Sequence, residues 1–313
     1  MDYIRGFTFL LEGNIRGHAG KRIQREMERM KEDLSSDTVV LAFQALQENA
    51  HSEEIDYTGS RTPDDEELCA LIEHAKDIGL RVILKPMVNC RSGEWRAYIN
   101  FIYPDVKCES KWSAWFRNYD EYILHYADIA QRTGCEMLII GCELVMAQSQ
   151  ESQWRELIGQ IRDRYDGLLT FNADKYQEDR LTWWDALDVI SSSGYYPSKE
   201  WRENLDRIGK AAAKYGKPVF FAECGCPCRK GASVIPNDWT REGALDLKEQ
   251  ADYYKTMFEE CRGREWLKGF SGWAWSCHDT LHPFLNDGYS VCGKPASEVI
   301  KKYYTDDIES DLQ

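Results

Sequence analysis

Eight short, largely apolar segments, each the length of one β-strand, recur along the chain with helix-forming segments between most of them. The segments 37–43 and 136–142 are nearly continuous apolar runs, whereas a half-exposed strand would alternate apolar and polar residues. Ile23, Met27 and Leu34 follow helical spacing between the first two strands. Unbroken apolar strands joined by helices are typical of buried parallel sheets. The sequence therefore predicts an α/β fold, a single-domain (β/α)8 TIM barrel.

The barrel is predicted over residues 1–304, and residues 305–313 are expected to form an acidic C-terminal tail. Strands are predicted over 3–11, 37–43, 80–85, 136–142, 168–171, 188–193, 218–223 and 269–275, and helices over 18–34, 113–132, 152–165, 200–215, 247–261 and 297–304. A further helix is predicted to begin after Thr62, as its N-cap, and to end at Gly79. The alternative of a doubly wound sheet lacks support, because no G-x-G-x-x-G turn follows any strand.

The charge of the chain argues against two classes of partner. Its formal net charge is −14, with no Lys/Arg cluster, so nucleic acid and anionic membranes are not expected partners. The N-terminal residues lack a basic segment followed by a long apolar one, and no apolar run reaches 18 residues. A cytoplasmic location is therefore expected.

The eleven cysteines are an odd number spread along a long chain, which favours reduced thiols over a disulfide framework. Cys224, Cys226 and Cys228 form a C-x-C-x-C motif that could hold zinc or a cluster. No second Cys/His pair at finger-like spacing accompanies the motif, so neither a metal nor another cofactor is expected.

Two of the predicted strands end in a glutamate. Glu143 follows the fourth strand and Glu223 ends the seventh, and each lies beside glycine and cysteine. Burial and mutual repulsion of two such carboxylates separate their pKa values, leaving one acid and one base. Helix capping or surface ion pairing is the alternative role for either residue alone.

The carboxyl ends of barrel strands carry the active site in this fold. The other predicted strand ends are polar or aromatic, which suits a neutral polyhydroxylated ligand: Glu12 or Asn14, Gln44, Lys85 with Asn89, Asn172, Tyr195 and Trp275. A long loop over 86–111 adds Trp95 and Arg96. His278 and His282 lie near a strand end, but a structural role is favoured for both.

This set of residues predicts glycoside hydrolysis by two carboxylates. Glu143 is expected to be the general acid/base and Glu223 the ionised nucleophile, with Tyr195 among the donors that keep it charged. A retaining enzyme needs carboxyl groups about 5–5.5 Å apart, and an inverting enzyme needs roughly 6.5–9.5 Å.

An acid/base on strand four and a nucleophile on strand seven resemble clan A of the retaining glycoside hydrolases. Four runs of this sequence are similar to glycoside hydrolase family 113, the β-1,4-mannanases: Leu84-Lys85-Pro86, Gly93-Glu94-Trp95-Arg96, Gly141-Cys142-Glu143-Leu144 and Phe221-Ala222-Glu223. The resemblance implies Glu143 as acid/base and Glu223 as nucleophile, acting on β-mannan or manno-oligosaccharides. It also implies a set of sugar-binding residues: Lys85, Asn89, Trp95, Arg96, Cys142, Asn172, Tyr195 and Trp275.

Two points set this chain apart from the pattern. Many clan members have asparagine directly before the acid/base, where it binds the sugar 2-hydroxyl, and this chain has Cys142. Met87 is the second point, because it stands where polar residues are common in relatives.

Trp275 is expected to face the cleft and Trp273 the core. β-Mannosidase, xylanase or β-glucosidase activity, and a non-catalytic oligosaccharide-binding barrel, remain the alternatives. The sequence predicts neither endo or exo action nor the oligomeric state.

Overall fold

The computed structural model describes residues 1–13, 15–59, 61–103, 106–107, 109–275 and 288–305, with side chains at 102–110 excepted. Eight parallel strands close into a barrel in which each strand pairs with its neighbours in the chain and the eighth pairs with the first. The strands are β1 Ile4–Leu11, β2 Thr38–Gln47, β3 Arg81–Cys90, β4 Met137–Cys142, β5 Leu168–Ala173, β6 Val189–Gly194, β7 Val219–Cys224 and β8 Leu267–Trp275. The predicted TIM barrel is confirmed.

Seven α-helices surround the described barrel: α1 His18–Leu34, α2 Asp65–Asp77, α3 Glu109–Thr133, α4 Glu151–Arg162, α5 Trp201–Tyr215, α6 Leu247–Cys261 and α7 Pro295–Thr305. The predictions for α1 and α6 match their observed bounds. Residues 174–188, between β5 and β6, contain only a 3-10 turn at Trp184–Ala186. No helix among the described residues is both long and apolar enough to cross a membrane.

The start of α2 differs from its prediction. Asp64, and not Thr62, is the N-cap, because its carboxylate accepts a hydrogen bond from the amide of Glu67 and the Glu67 side chain accepts one from the amide of Asp64. The Thr62 hydroxyl instead donates to the carbonyl of Gln44, at 2.8 Å. This bond joins the loop before α2 to β2.

Strand β3 continues five residues past its predicted end at Lys85. Pro86 is accommodated within it, and the pairing with β2 runs on to Gln47 and Cys90. The predicted loop over 86–111 is therefore shorter. It contains a 3-10 turn at Arg96–Tyr98 and a small hairpin of Ile102–Tyr103 with Val106–Lys107. Asn89 accordingly lies on a strand, close to the mouth of the barrel.

Most tryptophans are structural. Trp112, Trp115, Trp154, Trp183, Trp184 and Trp201 are fully buried between the barrel and its helices. A separate core inside the barrel is mostly aliphatic and closes its lower half; it includes Ile4, Val40, Ile83, Met137 and the aromatic Phe220. Polar side chains can therefore collect at the upper, C-terminal end of the strands. Of the predicted tail 305–313, the described part is Thr305, which ends α7, and 306–313 lie outside the described residues.

Candidate active site

Glu223 on β7 and Glu143, directly after β4, lie at the same end of the barrel. A continuous chain of hydrogen bonds joins them. Lys85 pairs with Glu223 and donates to Asn172 Oδ1 at 2.9 Å. Asn172 Nδ2 donates to Ser193 Oγ at 2.9 Å, and Ser193 donates to Glu143 Oε1 at 2.8 Å. The two glutamates predicted from the strand ends thus share one site.

Both carboxylate oxygens of Glu223 are held by donors. Oε1 forms an ion pair with Lys85, which is fully buried, and lies 3.5 Å from the Cys142 thiol. Oε2 accepts a hydrogen bond of 2.8 Å from the Tyr195 hydroxyl. Burial alone would raise the pKa of Glu223, but the charge and hydrogen bond of Lys85, the charge of Arg96 and the hydrogen bond of Tyr195 together hold this pKa below its usual value. Glu223 is therefore ionised at neutral pH.

Glu143 lies in a different setting. Burial, and then the negative charge of Glu223, raises its pKa, whereas Arg96 and the Ser193 hydroxyl act in the opposite direction. Its Oε2 lies 3.5 Å from Trp95 Nε1 and 3.7 Å from Arg96 Nη1. Unlike Glu223, Glu143 has no lysine paired with it in the described site, so it can hold a proton and release it.

The backbone of Glu143 is strained. Its φ of 52° lies in the left-handed region, which costs a residue with a side chain roughly 1–3 kcal/mol. The Glu143 amide donates to the carbonyl of Asn172 at 2.8 Å, which fixes this conformation against β5. In this conformation the Glu143 carboxyl group contacts Ser193, Trp95 and Arg96.

A second polar group lies beside Glu143. The Arg96 guanidinium donates to Asn89 Oδ1 at 2.9 Å through Nε and to Cys142 Sγ at 3.1 Å through Nη1. Asn89 in turn donates to Gln44 Oε1. Seven of the eight predicted binding residues therefore contact one another or the two glutamates: Lys85, Asn89, Trp95, Arg96, Cys142, Asn172 and Tyr195.

The prediction for the eighth, Trp275, is wrong. Its ring is 2% exposed, its Nε1 donates to Glu26 on α1 at 3.0 Å, and its edge packs against Phe7. A bulge explains the error, because Phe7 and Phe9 of β1 pair with Gly272 and Trp275, so β8 has one extra residue there. The inward-facing tryptophan is instead Trp273, whose ring centroid lies 5.4 Å from Lys85 Nζ.

Several residues near the site were not predicted. Ser193 could have been inferred from the three consecutive serines at the end of β6. Asp174, two residues past Asn172, has its pKa raised to about 7 by burial and by the charge of Glu143. Trp239 is 58% exposed, and its ring lies 6.0 Å from that of Tyr195 and 6.2 Å from that of Trp273. Nothing in its local sequence indicates that position.

The C-x-C-x-C motif begins at Cys224, the last residue of β7. Cys224, Cys226 and Cys228 are buried, and Cys228 Sγ lies 3.5 Å from Lys294 Nζ. Within the described part of the chain, no group of three His, Cys, Asp or Glu side chains is arranged to hold a metal ion. Asn14, His278 and His282 lie outside the described residues.

Comparison with known families gives the family of the chain. The model of Glycoside Hydrolase Family 113 matches residues 7–294, which is most of the chain and includes both glutamates. The chain belongs to glycoside hydrolase family 113. A comparison with curated proteins gives no match.

Solved structures agree with the family assignment. Two structures of family 113 β-1,4-mannanases, one of them a complex, are each 48% identical to this chain, with TM-scores of 0.92 and 0.91, and cover 98% of it and 100% of their own length. The family 113 β-mannanase AaManA from Alicyclobacillus acidocaldarius, in complex with ManMIm, is 37% identical, with a TM-score of 0.89 and 97% of both chains covered. The family 113 barrel is therefore shared over nearly its whole length.

Proposed function

We propose that the chain is a retaining β-1,4-mannanase that cleaves mannan or manno-oligosaccharides. The observation that carries the proposal is the unlike setting of two carboxylates at one barrel mouth. Lys85 and Tyr195 keep Glu223 ionised, whereas burial and the charge of Glu223 favour the protonated form of Glu143. The β-1,4-mannanase relatives, 37–48% identical, support the choice of sugar.

In the first step, a carboxylate oxygen of Glu223 attacks the anomeric carbon while the Glu143 carboxyl group gives its proton to the glycosidic oxygen. The bond from that carbon to the leaving sugar breaks, and an ester joins the remaining sugar to Glu223. Formation of the ester removes the charge of Glu223, so one of the two main causes of the raised Glu143 pKa is lost. The pKa of Glu143 then falls, so the group remains ionised after it has given up its proton and is available as the general base.

In the second step, the Glu143 carboxylate takes a proton from water, and the water oxygen attacks the anomeric carbon. Glu223 leaves as a carboxylate and is again paired with Lys85 and Tyr195. Two displacements at one carbon retain its configuration. The Lys85 ammonium thus stabilises both the attacking group at the start and the leaving group at the end.

Aromatic rings border the glutamates on two sides and can stack on the C–H faces of sugars. Trp95 and Tyr98, 42% and 61% exposed, lie on the side of Glu143. Trp273 and Trp239 lie on the side of Lys85 and Tyr195. This arrangement favours an oligosaccharide over a single sugar.

The test is product analysis by NMR and chromatography on mannan, mannobiose, xylan and aryl glycosides. We expect β-1,4-mannosidic cleavage that releases the β-anomer first, and no cleavage after Glu223→Gln. Glu136→Gln is the matched control, because Glu136 lies at the other end of the barrel, paired with Arg81. Cleavage of xylan or of glucosides would indicate a xylanase or a glucosidase instead. Release of single mannose units only would indicate a β-mannosidase, and binding without turnover would indicate an oligosaccharide-binding barrel.

We also propose a cytoplasmic location. No two of the nine cysteines that the structure describes form a disulfide with each other, and eight of the nine are buried, which fits a reducing compartment. Fractionation of the native cells, with antibody detection, should place the protein with the cytoplasmic markers. Recovery from the medium or the cell envelope would contradict the proposal.

A further inference from the structure

The end of β6 supplies a hydrogen-bond donor to each of the two glutamates. Ser193 donates to Glu143 Oε1 and Tyr195 donates to Glu223 Oε2, both at 2.8 Å. The Tyr195 amide also donates to the Ser193 carbonyl at 3.0 Å, so a tight turn at Gly194 joins the two residues. A movement of this turn would therefore disturb both glutamates together.

The residues on either side of the turn are bound by one buried carboxylate. Ser192 Oγ donates to Glu178 Oε1 at 2.5 Å, and the Tyr196 hydroxyl donates to the same oxygen. Glu178 lies in the segment between β5 and β6 and is fully buried. One carboxylate oxygen thus holds the chain just before Ser193 and just after Tyr195.

Glu178 is itself held from two directions. Its Oε2 accepts from Arg207 Nη2, on α5, at 2.7 Å, and Arg207 Nη1 donates to Asp179 at 2.8 Å. Its backbone carbonyl accepts from Trp184 Nε1 at 2.8 Å. A buried ion pair is weak evidence for stability, because apolar residues of similar size are often as stable. The geometry that this pair fixes is a better explanation for its presence.

Regular strand pairing does not fix the end of β6. The pairing with β7 shifts register between Ser192 and Ser193, so that Ser192 pairs with Phe221 and Ser193 with Glu223. An irregularity of this kind bends a strand and changes the direction of its side chains. The bonds to Glu178 lie at this same position, where the sheet alone leaves the backbone least constrained.

We propose that Glu178 is a positioning residue for the two glutamates, which holds the end of β6 so that Ser193 and Tyr195 keep their bonds to them. The inference rests on the proposed function and extends it to a residue outside the cleft. Because the Glu178 side chain is fully buried, no substrate can contact it. It acts only through the two donors on β6.

The direction of a pH shift separates positioning from a direct effect of charge. The bonds from the end of β6 favour the ionised forms of Glu143 and Glu223, so their loss should raise both pKa values. The negative charge of Glu178 raises the pKa of a nearby carboxyl group, as it does for Asp174, so loss of this charge alone would lower these values. Arg207, once unpaired, would also lower them.

The test measures kcat, KM and the pH profile of kcat/KM on mannotetraose. We expect Glu178→Met to lower kcat about 10- to 100-fold with KM changed less than about 3-fold, and to move both limbs of the profile to higher pH. Tyr196→Phe removes one of the two bonds to Oε1 and keeps the ion pair, so it should give the same shifts at smaller size. Glu178→Gln keeps an oxygen that can accept from both hydroxyls and should retain most of kcat.

Glu26→Met is the matched control. Glu26 is also a buried glutamate outside the barrel, where it accepts from Trp275 Nε1, and none of its described partners bonds to the catalytic glutamates. This variant should lose stability in urea and leave both pH limbs in place. An equal shift in Glu26→Met would overturn the inference, because the loss of any buried glutamate would then have the same effect.

Unmoved limbs in Glu178→Met, or limbs moved to lower pH, would also overturn the inference. If Glu178→Met does not fold, Tyr196→Phe is judged by the same criterion. Failure of the wild type to cleave mannotetraose would instead refute the proposed function itself. The two failures are thus distinguishable.

Discussion

The ammonium group of Lys85 forms a fully buried ion pair with Glu223 Oε1. A buried carboxylate is costly unless it is paired and hydrogen-bonded, and Lys85 provides both interactions. The pair keeps the Glu223 carboxylate charged in a site that water scarcely reaches. It also makes the Glu223 charge available to raise the pKa of Glu143.

Replacement of Lys85 should therefore affect both stability and activity. Lys85→Met leaves the buried carboxylate of Glu223 without its cationic partner, which costs about 3–5 kcal/mol of unfolding free energy at neutral pH. The pKa of Glu223 should rise, so the acid limb of the kcat/KM profile should move to higher pH. Urea unfolding and a pH–rate profile measure the two effects. Lys210→Met, on the exposed face of α5, is the control, and an unshifted acid limb would refute the assignment.

Glu143→Gln should abolish turnover of unactivated substrates yet stabilise the fold. The native pKa of Glu143 is raised, so its ionisation near pH 7 opposes folding. The gain, roughly 0.5–2 kcal/mol, should appear above the ordinary pKa of glutamate and vanish below it, where the carboxyl group is protonated in both states. Thermal unfolding of wild type and Glu143→Gln at pH 4 and pH 7 measures the sign of this change in stability. Destabilisation at pH 7 would contradict it.

Ser193→Ala removes a hydrogen bond that favours the ionised form of Glu143. The pKa of Glu143 should rise, so the alkaline limb of the kcat/KM profile should move to higher pH. Ser191→Ala is the matched control, because Ser191 lies on the same strand and no hydrogen-bond partner of its buried hydroxyl is described. A shift of equal size in both variants would mean that β6 itself has changed.

The two tryptophans of β8 should separate function from stability. Trp273→Ala is expected to lower kcat/KM on manno-oligosaccharides about 30-fold, equivalent to about 2 kcal/mol, because a sugar platform is lost. Trp275→Ala should cost about 3–5 kcal/mol of unfolding free energy, because it empties a site between β8 and α1. Substrate kinetics and urea unfolding, measured on both variants, distinguish the two roles. Loss of activity in Trp275→Ala and loss of stability in Trp273→Ala would instead mean that Trp275 faces the cleft.

The sequence predicted the barrel and the presence of two glutamates at one end of it because both depend on local pattern. Unbroken apolar runs mark buried strands, and the polar residue that ends each run lies at the barrel mouth. Glu143, Glu223, Lys85 and Tyr195 follow from this rule alone. Asn172 follows in the same way, since it ends the apolar part of β5.

The features that the sequence did not predict depend on irregular backbone, which no local sequence pattern indicates. Strict alternation would place Trp273 and Trp275 on the same face of β8, and the bulge, with its extra residue, places them on opposite faces. The 3-10 turn at Arg96–Tyr98 brings Arg96 back to Cys142, 46 positions later in the chain. Pro86 indicated the end of β3, although the strand accommodates it and continues to Cys90.

The most direct test of the account is trapping of the covalent intermediate. A 2-deoxy-2-fluoro-β-mannosyl fluoride should inactivate the enzyme by slowing the second displacement, and peptide mass spectrometry should locate the sugar on Glu223. Wild type and Glu143→Gln are labelled in parallel, because the fluoride leaving group needs no acid and both should be labelled. A sugar found on another residue, or inverted products with no label, would contradict the central claim that Glu223 is the nucleophile and Glu143 its acid/base partner.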